Sequence, residues 1–187
     1  MIISHSHNYA FFHCPKCAGT SISVNLSKHC TDQDIVTGHE YLRDVDDDFN
    51  EAKPRNSVGY TTHTLPYEVI IPEDYLKISA KRNPFDQVVS NYFWYRSQKP
   101  FEEFVLRELF IDCRPFWNGM DYYVDFHNLE ESYRELCGKI NIPYERLPRT
   151  KTKLRKDKTY RNMYTDKARE KIEEYYKNEI KKFMYFF

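Results

Sequence analysis

The sequence predicts a single α/β domain over residues 1–187, with a mainly parallel sheet flanked by helices, and three observations carry that expectation. Strand-like and helix-like patterns alternate along the chain, the order of a parallel sheet with crossover helices. Two strand-to-helix junctions, at 13–21 and 81–85, carry a basic residue beside a proline. Ligands of such sheets bind beyond the carboxyl ends of the strands, which is where both junctions fall. The third observation is length: 187 residues suffice for one sizeable core and not for two.

In chain order, the aromatic run at 9–13 reads as a buried strand that breaks at Pro15, and the pattern restarts at Thr20 and Ser21 as a helix over 20–29. A short strand is expected near 57–61. The segment 75–80 reads as a strand ending in basic residues and Pro84. A helix over 84–97 follows, with proline at its start and apolar or aromatic residues at 85, 88, 89, 92 and 95/96, a helical period. Further helices are expected over 101–110, 129–140 and 166–185, and a strand over 122–127. Neither an internal repeat nor a low-complexity linker is visible.

Composition narrows the function classes. Lys and Arg number 28 and Asp and Glu 28, so bulk attraction to nucleic acid or an anionic membrane is unsupported. A mean hydropathy of −0.77 and the lack of a long apolar run exclude a spanning helix. The start, Met1 to His7, lacks the charged stretch and long apolar run of a signal peptide, so a cytoplasmic location is expected. The 5 cysteines, at 14, 17, 30, 113 and 137, form no regular framework and fit reduced thiols. With 16 Tyr and 13 Phe against 5 Gly, most aromatic residues belong to the core, and a minority are available to stack on adenine or an acceptor ring.

The most informative stretch is Phe11-Phe12-His13-Cys14-Pro15-Lys16-Cys17-Ala18-Gly19-Thr20-Ser21. A strand followed by a turn with lysine and glycine, and then by a helix start, makes an anion cradle. The first N–H groups of a helix have no intrahelical acceptor and carry partial positive charge. The turn departs from a Walker loop, because Lys16 precedes Gly19 rather than following the second glycine of G-x-x-x-x-G-K-[ST]. That departure disfavours a nucleotide kinase.

Pro15-Lys16-Cys17-Ala18-Gly19-Thr20-Ser21 resembles the 5′-phosphosulfate loop of sulfotransferases that use 3′-phosphoadenosine 5′-phosphosulfate, P-K-x-[AG]-[GT]-[ST]-S. Arg82-Asn83-Pro84-Phe85-Asp86-Gln87-Val88-Val89-Ser90-Asn91-Tyr92 resembles the same family's R-N-P-[YF]-[DE]-R-x-x-S-x-Y signature, with Gln87 in place of arginine. Tyr122 to Glu131, continuing through Leu136-Cys137 to Ile142-Pro143, is similar to a strand, acidic turn and helix of these enzymes, with His127 where glutamate is usual. Tyr175-Tyr176-x-x-Glu179-x-x-x-Phe183-x-Tyr185 resembles their closing helix.

The resemblance implies a P-loop-like nucleotide-binding sulfotransferase fold and a donor, 3′-phosphoadenosine 5′-phosphosulfate, that leaves as 3′-phosphoadenosine 5′-phosphate. It implies that Lys16, Cys17, Ala18, Gly19, Thr20 and Ser21 hold the 5′-phosphate end, with Lys16 assisting the leaving phosphate, and that Arg82 and Ser90 grip the 3′-phosphate. Leu147-Pro148 resembles the start of a segment that closes over the nucleotide, which brings Arg149, Lys151 and Lys153 into the binding set. No metal is implied.

The proton acceptor is one of two histidines. His63, just past the expected strand at 57–61, resembles the G-H-x-P segment that carries a base in carbohydrate sulfotransferases, with Thr62 where glycine is common. His39 in Thr37-Gly38-His39-Glu40 competes with it, and either imidazole suits proton transfer near neutrality. His13, the last residue of a buried strand, reads as structural. The His63 segment and the form of the loop look most like the carbohydrate and membrane-associated branch, so a carbohydrate acceptor is favoured.

Other readings remain open. Cys14-Pro15-Lys16-Cys17 is a C-x-x-C between a strand and a helix, the place of a thioredoxin-like redox pair. A non-catalytic nucleotide-binding relative is a further alternative. Asp44 to Asp48 fails the calcium-loop pattern, because Phe49 and Arg55 occupy its glycine and bidentate glutamate positions.

Overall fold

The computed structural model describes residues 1–38, 53–148 and 159–187. The chain divides into two compact units, one of Met1–Lys81 with Pro115–Thr150 and the other of Arg82–Arg114 with Lys151–Phe187. The strands are β1 (Ile2–Ser4), β2 (Tyr9–Phe12), β3 (Ile35–Val36), β4 (Leu76–Lys81) and β5 (Tyr122–Asp125). The α-helices among the described residues are α1 (Gly19–Ser27), α2 (Pro84–Trp94), α3 (Phe101–Leu106), α4 (Arg114–Trp117), α5 (Leu129–Lys139), α6 (Asp166–Tyr175) and α7 (Lys177–Phe183).

All five strands lie in the first unit and make one sheet in the order β3-β1-β2-β4-β5. The α/β class is as expected, but the sheet is mixed. β2, β4 and β5 run parallel, with Phe12 opposite Ser79 and Lys81 opposite Asp125. β1 is antiparallel to both β2 and β3. The reason is the connection: β1 and β2 are separated by residues 5–8 alone, with Asn8 at φ 51°, and so short a link closes a hairpin and cannot span a crossover. Every residue of β2 is buried, which its aromatic run requires.

Helix α1 packs against β1 and is buried along its whole length; α5 packs against β5. The buried side of α5 consists of Ser132, Tyr133, Leu136 and Cys137, the spacing of one helical face. Trp117 is buried and donates its indole N–H to the Ala80 carbonyl at 3.0 Å, while the Tyr123 hydroxyl donates to the Trp117 carbonyl at 2.8 Å. These bonds tie the last residue of α4 to β4 and β5.

The strand expected at 57–61 does not form. Gly59 stands at φ 86°, the Tyr60 N–H turns back to the Ser57 carbonyl, and Val58 is 96% exposed, so these residues make a turn with no face to bury. In the second unit, Asn83 caps α2 by accepting from the Phe85 N–H, and Pro84 occupies the first turn. The aromatic surplus is largely spent here on edge-to-face packing, with Phe85 to Tyr164 at 5.6 Å, Phe101 to Tyr164 at 4.9 Å and Phe85 to Phe187 at 5.0 Å between centroids.

The helix expected over 166–185 is two helices that break at Tyr176 (φ −108°, ψ 23°). Tyr176 is fully buried; its hydroxyl accepts from the Cys113 N–H and donates to the Ile111 carbonyl, each at 3.3 Å. Helical dihedrals give way at the residue whose ring is anchored in the 111–113 segment.

The loop after α1 is organised by one carboxylate. Asp34, fully buried, accepts from the N–H groups of His5 (2.7 Å), Ser6 (3.2 Å) and Thr31 (2.8 Å) and from the hydroxyls of Ser4 (3.3 Å) and Ser6 (2.9 Å). Burial alone would raise its pKa, but the Thr31, Ser6 and His5 hydrogen bonds hold it below the ordinary carboxylate value. With a depressed folded-state pKa, its contribution is complete above the unfolded-state pKa of about 3.9 and is lost as pH falls through the lower folded-state value. Asp34→Asn is therefore expected to lower stability by about 1–3 kcal/mol at neutral pH. In urea unfolding that gap from wild type should narrow at about pH 2.5; a gap of constant size would contradict the carboxylate's role.

Candidate functional site

The Pro15-Lys16 turn spans residues 13–18, between the end of β2 and the start of α1. Two of its residues, Lys16 and Ala18, adopt left-handed backbone, each at φ 63°. Neither is glycine, and holding such residues there costs on the order of 1 kcal/mol each, a strain that concentrates at ligand-binding turns. Ala18 is the N-cap of α1, and it makes no side-chain cap. A methyl group cannot accept from first-turn N–H groups as a Ser, Asp or Asn side chain would, which suits that helix end to an external anion.

Gly19 has a packing role. A Cβ there would overlap the ring of His13, which is buried where the chain leaves β2. The same His13 ring meets His63 edge to face at 4.8 Å, and the His13 carbonyl pairs with His63 Nδ1 at 2.9 Å. A carbonyl only accepts, so Nδ1 carries the hydrogen and the neutral ring has its lone pair on Nε2. His63 is exposed, as a side chain acting on a ligand must be.

The segment carrying His63 is held on both flanks. The Thr62 hydroxyl donates to the Gly38 carbonyl at 2.9 Å, Thr61 and Thr64 close a turn through the Thr64 hydroxyl, and Glu68 accepts from the Leu65 N–H at 2.7 Å. Thr62, which stands where the resemblance leads one to expect glycine, is an anchor. Behind α1, the Asn25 amide donates to the Glu145 and Arg146 carbonyls at 3.0 and 3.1 Å. That holds residues 145 and 146 against α1.

Arg82 and Ser90 belong to the second unit. Arg82 is 7% exposed, and its Nε donates to Asp86 at 2.8 Å. Asp86 and Ser90 are four residues apart on α2, so they share one helix face, onto which the Asp86 bond draws Arg82. Gln87 is fully buried and donates to Cys113 Sγ at 3.0 Å, filling an internal position where an arginine would bring a charge.

The structure thus places Lys16 to Ser21 in one turn and helix start, sets Gly19 and His63 against His13, and in the second unit puts Arg82 just before α2 and Ser90 on it. His39, Arg149, Lys151, Lys153 and the acidic run at 44–48 lie outside the described residues. His13 as the link between the candidate base and the loop is the feature that sequence reasoning missed; the signal available was the pairing of a histidine with a glycine six residues on. The ion pair of Lys81 with Asp125 at 3.1 Å, at the ends of β4 and β5, was also unforeseen.

Among the described residues no group of three or more His, Cys, Asp or Glu side chains is placed to hold a metal ion, and no helix is long and apolar enough to cross a membrane. Compared with family models, with curated proteins and with solved structures, the chain matches none. What the site does must be read from its own residues.

Replacing Gly19 by alanine is expected to push the His13 ring aside and cost about 1–3 kcal/mol, as overpacking does. A denaturant midpoint equal to wild type would show that the ring has room to spare.

Proposed function

We propose that the chain is a sulfotransferase that moves a sulfuryl group from 3′-phosphoadenosine 5′-phosphosulfate to an acceptor hydroxyl, with carbohydrate the favoured acceptor class. The observation that carries this reading is the alanine-capped N-terminus of α1, preceded by Lys16 in a left-handed turn and joined through His13 to an exposed histidine. Such a cradle suits a phosphate that must accept negative charge while a nearby base takes a proton.

The acceptor oxygen attacks sulfur, the bond from sulfur to the bridging phosphate oxygen breaks, and 3′-phosphoadenosine 5′-phosphate departs. The demands are those of phosphoryl transfer: in-line positioning and neutralisation of charge on the leaving oxygen. Lys16 and the first-turn N–H groups of α1 supply that neutralisation. His63 Nε2 takes the acceptor proton, its ring held by the Nδ1 bond to the His13 carbonyl. Arg82, with Asp86 fixing its guanidinium, and Ser90 are assigned the 3′-phosphate. Arg149, Lys151 and Lys153 are assigned a supporting role on the nucleotide.

A disulfide-exchange enzyme acting on other proteins is less well supported, because Cys14 and Cys17 are both fully buried and the attacking thiol of such an enzyme must reach its substrate.

Turnover of labelled donor with a panel of glycan, phenol and lipid hydroxyl acceptors tests the proposal. Lys16→Ala is expected to lower kcat by about 100-fold or more, as loss of a charge-stabilising group does. His63→Ala is expected to lower kcat by about 100- to 10,000-fold with nucleotide affinity retained. Activity should survive EDTA. Full activity in His63→Ala would reject that base, and absence of transfer to every acceptor class would reject the reaction.

A further inference from the structure

We infer that Cys14 and Cys17 form a reversible redox switch, in which a disulfide across the Pro15-Lys16 turn disables the anion cradle. Its effect on ligand rests on the proposed nucleotide site, whereas the disulfide itself does not.

Both thiols are fully buried, and Cys17 donates to Cys14 Sγ with the two sulfurs 3.5 Å apart. Both also point at one acceptor, the Pro15 carbonyl, at 3.5 Å from Cys17 and 3.9 Å from Cys14. The bond would therefore form between atoms already in contact, with no large movement of either strand or helix. Yet it would replace that contact with a covalent length of about 2 Å, across a turn whose two central residues are Pro15 and Lys16. Lys16 is the residue held at φ 63°, and Cys17 adjoins the left-handed cap of α1. Closure constrains the dihedrals of the turn that holds Lys16 and the cap of α1, so donors aimed at an anion in the dithiol form are re-aimed in the disulfide form without any shift of β2 or α1 as a whole.

The chemistry balances with a small-molecule disulfide as the oxidant. One protein thiolate attacks it and releases one small thiol; the second protein thiolate then attacks the mixed disulfide and releases the other. Two protein thiols are oxidised to one disulfide and the oxidant is reduced to two thiols. Because both sulfurs are buried, the exchange requires local opening of the turn, so a ligand bound there should slow it.

The remaining thiols are poor competitors. Burial pushes the Cys30 thiol up to about 11 and raises Cys137 as well, and Cys113 is buried against the Gln87 amide.

The test incubates the full chain with excess oxidised glutathione, then maps disulfides by peptide mass. It follows hydrogen exchange over residues 13–20 and titrates 3′-phosphoadenosine 5′-phosphate before and after oxidation. Cys14→Ser and dithiothreitol-treated wild type serve as controls. The expected result is a Cys14–Cys17 peptide lighter by two hydrogens, altered exchange over the turn, and affinity reduced about tenfold or more, the loss of one charge-assisted contact. Dithiothreitol should reverse all three, and bound nucleotide should slow the oxidation. Cys14→Ser should be indifferent to the oxidant.

Failure of the pair to close after prolonged oxidation, or closure that changes neither exchange nor affinity, would overturn the switch. If the reduced chain binds no nucleotide and yet the disulfide forms and alters exchange, the nucleotide reading fails and the switch stands.

Discussion

The contact between the His13 ring and the backbone of Gly19 is the constraint on which the rest of the site depends. It sets how closely the chain leaving β2 can approach the first turn of α1, and so how tightly the intervening turn must fold. Within that turn Lys16 and Ala18 adopt left-handed backbone, and Ala18 leaves the start of α1 without a side-chain cap. The same ring, packed edge to face, and the His13 carbonyl then locate His63 and select its tautomer. One buried histidine therefore shapes the turn and positions the group proposed as base.

The sheet explains why such a turn falls where it does. β2 and β4 are parallel neighbours, so both end at the same edge of the sheet, where β2 passes into the Lys16 turn. Parallel strands bring chemistry to one edge by geometry alone, without any need for the connecting segments to be long or regular. The antiparallel strands β1 and β3 extend the sheet on the other side and leave that edge untouched.

Much of this was legible from residue pattern where an element is long or strongly periodic. β2, β4, β5 and the helices α1, α2 and α5 fall close to their expected places, because buried aromatic runs and 3.6-residue periods reflect the burial that forms them, whereas the helix expected over 101–110 stops at Leu106, ahead of Glu108 at φ 53°. The hairpin strand β1 and the two-residue β3 were not legible. The three residues of β1 and the pair of β3 are too few to establish a period, and Asp34, just before β3, bonds the His5 N–H just after β1, a link no local window contains. Val58 misled in the opposite direction, since a β-branched residue between small ones looks like a strand until Gly59 turns the chain. The break at Tyr176 follows from a hydroxyl bond to residues 111–113, a long-range contact no local window contains. Residues 13–21 are contiguous, so their gathering into one turn and helix start needed no long-range contact to be foreseen. What escaped was the burial of Arg82 against Asp86 and the role of His13, both products of packing.

A calorimetric comparison of 3′-phosphoadenosine 5′-phosphate with ADP tests whether the chain recognises, as proposed, an adenosine carrying phosphate at both its 3′ and 5′ positions. Wild type should bind the former far more tightly. Arg82→Ala should bring the two ligands level, and because that substitution also strands the buried Asp86 carboxylate, Ser90→Ala should reduce the preference without disturbing the fold. Equal affinity of wild type for the two nucleotides would contradict a 3′-phosphate site and with it the proposed sulfuryl donor.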